Sequence, residues 1–295
     1  RPQIIFVVDV TAADGDRIQT GYSPIGGRMG FELFEQQPPG VVALEAAQRA
    51  CLMLEADPAP TGRMPVVLSS TAGGTMIHEA VGHGLEADAI EKGVSKFCGR
   101  LGEMIASPAV TVVDDGTLSG KRGSSLVDDE GTPAQRTVLV DRGRLIRYMN
   151  DLLYADKLGH APSGNGRRSS YQHRPIPRMT NTLIASGVDD PDDILSATDR
   201  GLFVKRMGGG QVNTLNGDFL FDVTEGYLIE GGKVGRPVRG ASLVGNGPEV
   251  LQMIERVGTD LGFTLGTCGK DGQGVPVTSA QPTVYIRELT VGGTA

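Results

Sequence analysis

Hydrophobic positions form compact runs in some segments of this chain and recur at a helical spacing in others. Ile4-Ile5-Phe6-Val7-Val8-Asp9-Val10 is compact and β-branched, which predicts a strand, and the glycine-bearing stretch from Gly21 to Gly30 predicts a loop after it. From Val41 to Ala56 the pattern changes. Val41, Leu44, Ala47, Cys51 and Leu54 recur at steps of three or four, predicting an amphipathic helix with Cys51 on its buried face, stopped by Pro58, Pro60 and Gly62. Pro65-Val66-Val67-Leu68 reads as a short buried strand. Ser69 to Gly74 is polar and offers Ser70 and Thr71 as caps for a helix-compatible run from Thr75 to Val81.

Beyond that point strands dominate. Val110 to Tyr148 predicts antiparallel β structure, with turns at Asp114-Asp115-Gly116 and a hairpin at Asp141-Arg142-Gly143-Arg144. Asp151 to Leu158 and Pro191 to Asp199 read as short helices, and Gly159 to Pro177 as an extended loop or edge strand. Gly208-Gly209-Gly210 reads as a chain break, followed by strands at Phe219 to Val223 and Gly226 to Ile229. Val250, Leu251, Ile254, Val257 and Leu261 predict a helix over Glu249 to Leu261, then Gly266 to Ala280 a second glycine-rich loop and Val284 to Leu289 a last strand. The fold class expected is α+β, predominantly antiparallel sheet with a few helices. No fixed-period repeat or low-complexity linker is visible, so residues 1–295 are expected to form one domain.

Composition narrows the function. No apolar run approaches the roughly 20 residues that span a bilayer, so membrane insertion is not expected. The net charge of −7, from 28 Lys+Arg against 35 Asp+Glu, supplies no basic field for direct nucleic-acid binding. Three cysteines and no secretory leader point to a reducing, cytoplasmic setting. Glycine is abundant, 43 of 295 residues or about 15% against a usual value near 7%, which implies many turns and close backbone approaches. The chain enters its first strand directly from Arg1, without Met, and a further N-terminal segment is expected.

The chemistry concentrates at His78-Glu79-Ala80-Val81-Gly82-His83, which uses two of the four histidines around a carboxylate. Histidines four apart share one helix face, whereas five apart they diverge by about 140° on an ideal α-helix. A π-type turn closing from i to i+5 brings them back together, and Gly82 and Gly84 offer the backbone freedom for it. The alternative is a histidine that merely follows a helix end, beside a solvated glutamate. Catalytic zinc takes three protein ligands and keeps one position open. Among the cysteines, Cys268 is the best third donor, in a glycine-flanked stretch beside Lys270, whose charge favours the thiolate; a small hydrophobe under a loop is the bland alternative.

At these residues the sequence closely resembles the TldD branch of the TldD/PmbA family of metallopeptidases, also described as modulators of DNA gyrase. His78 to Glu86 is similar to that family's HExxxH signature, and the resemblance runs through Val112 to Gly116, Asp128 to Pro133, Gly164 to Arg168, Arg178 to Thr182, Gly208 to Val212, Cys268 to Lys270 and Thr290 to Ala295. The resemblance implies that His78, His83 and Cys268 are zinc ligands and that Glu79 is the catalytic carboxylate. It further implies a family N-terminal α/β domain absent from this chain, an extended peptide as substrate, and a homodimer or a heterodimer with an inactive family paralogue.

Weaker signals surround this centre. Gly164 to Thr182 carries Arg167, Arg168, Tyr171, His173, Arg174 and Arg178, with Tyr171, His173 and Arg178 as candidate substrate contacts, against a plain solvated basic loop. His160 reads as structural. Asp114-Asp115 and Asp128-Asp129-Glu130 lack the spacing of a calcium loop and read as turns. The Gly208 triplet lacks the context of a phosphate-binding loop. An exposed sheet edge beside the metal suits an extended peptide held by strand addition. The functions that compete with a zinc metallopeptidase are a noncatalytic peptide-binding or gyrase-associated partner, and a zinc hydrolase of a non-peptide amide.

Overall fold

One set of strands closes on itself. In a computed structural model, which describes residues 2–213 and 215–293, strand Arg200–Val212 runs parallel to Gly62–Leu68, and the path continues through Val284–Gly292, Ser242–Asn246 and Asp218–Glu230. Asp218–Glu230 then pairs back with Arg200–Val212, completing the circuit. Alternate side chains point inward from each strand. Val66, Leu68, Leu202, Val204, Phe219, Phe221, Leu243 and Ile286 fill the interior, while Val67 and Ile229 face outward against Ile194.

A second, six-stranded sheet stands beside it. Its order is Gly262–Lys270, Gln273–Gln281, Asn181–Ile184, Val112–Asp115, Arg136–Asp141 and Arg144–Leu145, antiparallel throughout except between Gln273–Gln281 and Asn181–Ile184. The architecture is α+β with mostly antiparallel strands and few helices, as the hydrophobic pattern implied. Asp141 pairs with Arg144 across Arg142 and Gly143, both at positive φ, so that hairpin forms where expected. Asp128 makes the expected turn, its Oδ1 accepting from the backbone N–H of Glu130 and Thr132. No helix among the described residues is long and apolar enough to cross a membrane.

Several expectations are corrected, most of them at glycines. Gly21 to Gly30 is a loop only beyond Gly27: Arg17–Gly27 is a strand paired along its length with Ile4–Asp14. Helix Pro39–Glu55 lies across this hairpin so closely that a Cβ on Gly21 would come within 1.9 Å of the Ala46 carbonyl oxygen. That contact also selects the helix face. The buried residues are Val42, Ala46, Arg49, Ala50 and Met53, while Val41, Leu44 and Cys51 are exposed, because two stripes of the helix share the same spacing and the one that carries Ala46 and Ala50 lets the hairpin approach at Gly21.

Gly208-Gly209-Gly210 does not break the chain but continues Arg200–Val212, with Gly210 leaving room for the Phe221 ring. Gly266 to Ala280 is not a loop either. It belongs to the hairpin Gly262–Lys270 and Gln273–Gln281, turned by Asp271 and Gly272 at positive φ. The helix expected to reach Leu261 ends at Met253, and Ile254–Val257 becomes a strand that pairs Ile254 with Ile286. Asp114 and Asp115 close strand Val112–Asp115 rather than forming a turn. The Asp114 carboxylate is buried, accepting from the Thr180 N–H and from Thr180 Oγ1, Thr182 Oγ1 and Asn165 Nδ2.

Candidate metal centre

Thr75–Ile77 begins as an α-helix, and over His78–Gly82 the backbone widens to a π turn in which the His83 N–H donates to the His78 carbonyl. That i to i+5 closure turns both histidines to one side. Their ring centroids lie 5.2 Å apart with planes at 88°. Ser69, rather than Ser70 or Thr71, caps the preceding turn, its side chain accepting from the Thr71 N–H. Gly73 and Gly74 follow at φ of 83° and 76°, where a Cβ would collide with Thr264 and Ala280.

Gly82 and Gly84 serve a purpose other than the one expected. Gly82 has right-handed helical angles, and a Cβ on it would sit 2.1 Å from Met179 Sδ; a Cβ on Gly84 would sit 2.8 Å from the Phe97 ring. Both supply space for close packing rather than unusual dihedral angles.

Cys268 reaches the histidines from strand Gly262–Lys270, not from a loop. Its Sγ lies 3.4 Å from His83 Nε2, and ligand atoms of His78, His83 and Cys268 all fall within 4.8 Å of one another. The first spacing is close to the roughly 3.5 Å between neighbouring ligand atoms around tetrahedral zinc. Burial pushes the Cys268 thiol up, but hydrogen bonding and charge from His78 and His83 outweigh it and bring the thiol down to about 6. Lys270 is not the cause, because its ammonium is taken up elsewhere. His78 Nδ1 is buried without a hydrogen-bond partner among the described residues. Two imidazoles and an acidified thiol form a soft donor set that fits a zinc-type ion.

A second layer holds the donors. Glu86 Oε2 contacts His83 Nδ1 at 3.0 Å and accepts from Lys270 Nζ at 3.0 Å, and Lys270 also donates to Asp88 Oδ1 at 2.6 Å. Burial would raise the Glu86 carboxyl, yet His83 and Lys270 hold it at about 2. A carboxylate on the far nitrogen fixes an imidazole's tautomer and orientation. The sequence reading assigned Glu86 no role; its position three residues after His83 was the available signal, whereas its link to Lys270 spans 184 residues.

Arg178 is fully buried and donates to the carbonyls of Cys268 and Gln273, so it braces the cysteine strand from inside rather than facing a substrate. Tyr171 is 84% exposed, and His173 Nδ1 contacts Ser169 Oγ and Ser170 Oγ. Neither lines the cleft that runs past His78. His160 stacks on Tyr148, a structural position as expected.

That cleft has a volume of about 640 Å³. Its lining includes Thr75, His78 and Glu79, the stretch Phe263 to Thr267, and Arg49 with Arg206 to Gly210. Glu79 is partly exposed, with Oε2 3.9 Å from His83 Nε2. The arrangement places a carboxylate beside a nitrogen and sulfur donor set at the wall of an open groove.

Comparison with known proteins identifies the family. Residues 61–293 match the PmbA/TldA metallopeptidase C-terminal domain. The chain is 44% identical over its whole length to a Haemophilus influenzae protein named metalloprotease TldD homolog, covering 62% of that protein. It is 30% identical over 96% of its length to a Saccharolobus solfataricus protein named zinc metalloprotease TldD homolog, covering 63% of it. This chain therefore spans under two thirds of the length of those relatives. A Thermotoga maritima structure titled putative modulator of a DNA gyrase superposes with a TM-score of 0.80 at 24% identity, covering 98% of this chain and 62% of that one, which shows the same fold. The chain belongs to the TldD/PmbA metallopeptidase family.

Proposed function

We propose that the chain is the metal-bearing part of a zinc-dependent peptidase acting on extended peptides. The observation that carries this reading is the convergence of His78, His83 and Cys268 from two distant elements at the wall of an open cleft, with Glu79 beside them. His78, His83 and Cys268 would hold the ion. A zinc ion held in this way supplies Lewis acidity toward a scissile carbonyl and lowers the pKa of a water near it. Glu79 accepts the proton of the attacking water and delivers it to the leaving amine nitrogen. Its partial exposure lets it meet both the water and the departing group.

The cleft walls favour an extended chain. Arg200–Val212 is paired with Gly62–Leu68 only at Leu202 to Val204, so its later residues present an edge to the cleft, and Gly262–Lys270 is the edge strand of its own sheet. Both edges offer backbone groups to a peptide lying between them, and folded proteins would not reach them.

Elemental analysis of the purified chain, together with His83→Ala and Cys268→Ala variants and a peptide cleavage assay, tests the proposal. Near-stoichiometric zinc lost in both variants, with cleavage that requires zinc, is the expected result. A parent chain that takes up no zinc when supplied with it overturns the reading.

A further inference from the structure

The cleft carries a second chemical feature away from the histidines. Strand Arg200–Val212 slips register on both sides of Arg206, which pairs with Glu225, and the slip leaves Lys205 as an extra residue. A bulge of this kind re-aims side chains. Here it sends two consecutive cations to the same carboxylate: Lys205 Nζ lies 2.8 Å from Glu225 Oε1, and Arg206 Nε lies 3.9 Å from Glu225 Oε2. Glu225 is already satisfied. Its Oε2 accepts from Arg49 Nε at 3.0 Å, and its Oε1 also accepts from Tyr227 Oη at 2.9 Å. Glu45 lines the adjoining pocket and accepts from Ser23 Oγ at 3.2 Å. Three cations thus face two carboxylates, and Arg206 is the one that Glu225 holds only by charge at 3.9 Å, without a hydrogen bond. Its Nε is buried and finds no hydrogen-bond partner among the described residues, while its side chain, 35% exposed, lines the same cleft as His78 and Glu79.

We propose that Arg206 anchors a carboxylate of the peptide held in the cleft, supplied by an acidic side chain or by the peptide's C-terminal carboxylate. A planar guanidinium with free N–H groups matches a carboxylate through paired, charge-assisted hydrogen bonds. Phe263 and Leu265 also line the cleft, and Gly209, three residues after Arg206, has open space where a side chain would stand, so a peptide backbone can come close there. The cleft therefore selects peptides by one negative charge set at a fixed distance from the metal centre. This inference rests on the reading that the cleft holds a peptide, but not on any cleavage.

The test is direct binding of fluorescent decapeptides to the metal-free chain, measured by anisotropy. One series moves a single Glu or Gln along an otherwise constant sequence; the other compares free C-terminal acids with amides. A preference of about tenfold or more for the carboxylate at one position is expected. It should vanish in Arg206→Gln and survive in part in Arg206→Lys, with unchanged circular dichroism. The first series isolates the side chain and the second the chain terminus. Peptides that bind the parent chain with no difference between Glu and Gln or between acid and amide overturn the proposal, and that comparison needs no variant. Equal preference in parent and Arg206→Gln overturns the assignment to Arg206. Absence of binding by any peptide rejects the peptide reading itself, and the proposal with it.

Discussion

Lys270 Nζ lies 3.0 Å from Glu86 Oε2, and the same oxygen stands 3.0 Å from His83 Nδ1. Cys268 is two residues before Lys270 on one strand, so that strand brings both the sulfur and the cation that steadies the histidine's carboxylate. The two contacts tie the strand to His83, the residue that follows the π turn. Loss of an outer partner of a metal-bound histidine typically costs about 10- to 100-fold in metal affinity. Lys270→Met is expected to weaken zinc binding by about that factor without removing a donor atom, measured by competition with a chromophoric chelator. Unchanged affinity in a folded Lys270→Met chain would show that the link does not act on the metal centre.

Glu79 and the three donors separate in a different way. Glu79→Gln is expected to retain zinc and lose peptide turnover by about 100-fold or more, the usual contribution of general acid–base catalysis. Paired metal analysis and cleavage rates check it. Parent-like turnover would remove the proton-transfer role from Glu79.

Gly82 sits against fully buried Met179, which has little room to withdraw. Gly82→Ala is expected to destabilise the fold by about 1–3 kcal/mol through overpacking and to disturb His83, its neighbour. Urea denaturation and zinc titration read the two effects. An alanine variant as stable as the parent would mean that Met179 repacks freely.

Glu225 links stability to pH. Burial would raise its carboxyl, but hydrogen bonds from Lys205, Tyr227 and Arg49 hold it below the ordinary range. The stabilisation is therefore complete above the unfolded carboxylate value of about 4.3 and is lost as pH falls through the lower folded value. The Arg49 and Glu225 side chains are 6% and 5% exposed. Glu225→Gln is expected to cost about 3 kcal/mol at neutral pH, because Arg49 is left without its counter-charge. The gap between variant and parent should narrow below about pH 4, when the parent carboxylate protonates as well. Denaturation curves at neutral and acid pH decide it, and a gap of constant size would contradict the linkage.

The local pattern of the chain carried much of the fold. Compact β-branched and apolar runs such as Ile4 to Val10 and Pro65 to Leu68 became strands, and the spacing of His78 and His83 pointed to an i to i+5 turn, which the backbone makes. Those features depend on neighbours a few residues away. Glycine misled the reading at Gly21, Gly208 to Gly210 and Gly266, because its absence of a side chain serves close packing between elements as readily as it serves a turn. Gly21 is empty for Ala46 and Gly210 for Phe221, partners that no local pattern names. Helix Pro39–Glu55 shows the same limit: two stripes share one spacing, and contact with the hairpin buries the stripe that carries Arg49.

The sequence by itself determined the strand-rich class and singled out the His78 and His83 spacing that a π turn brings to one side, since these follow from side-chain chemistry and local backbone closure. Only the tertiary structure decided that Cys268 arrives on a strand, that Lys270 serves Glu86 rather than the thiol, that Arg178 is interior and that Arg206 lines the cleft with its Nε lacking a hydrogen bond. Each of those depends on pairing between segments far apart in the chain, where register and close packing choose which side chains meet.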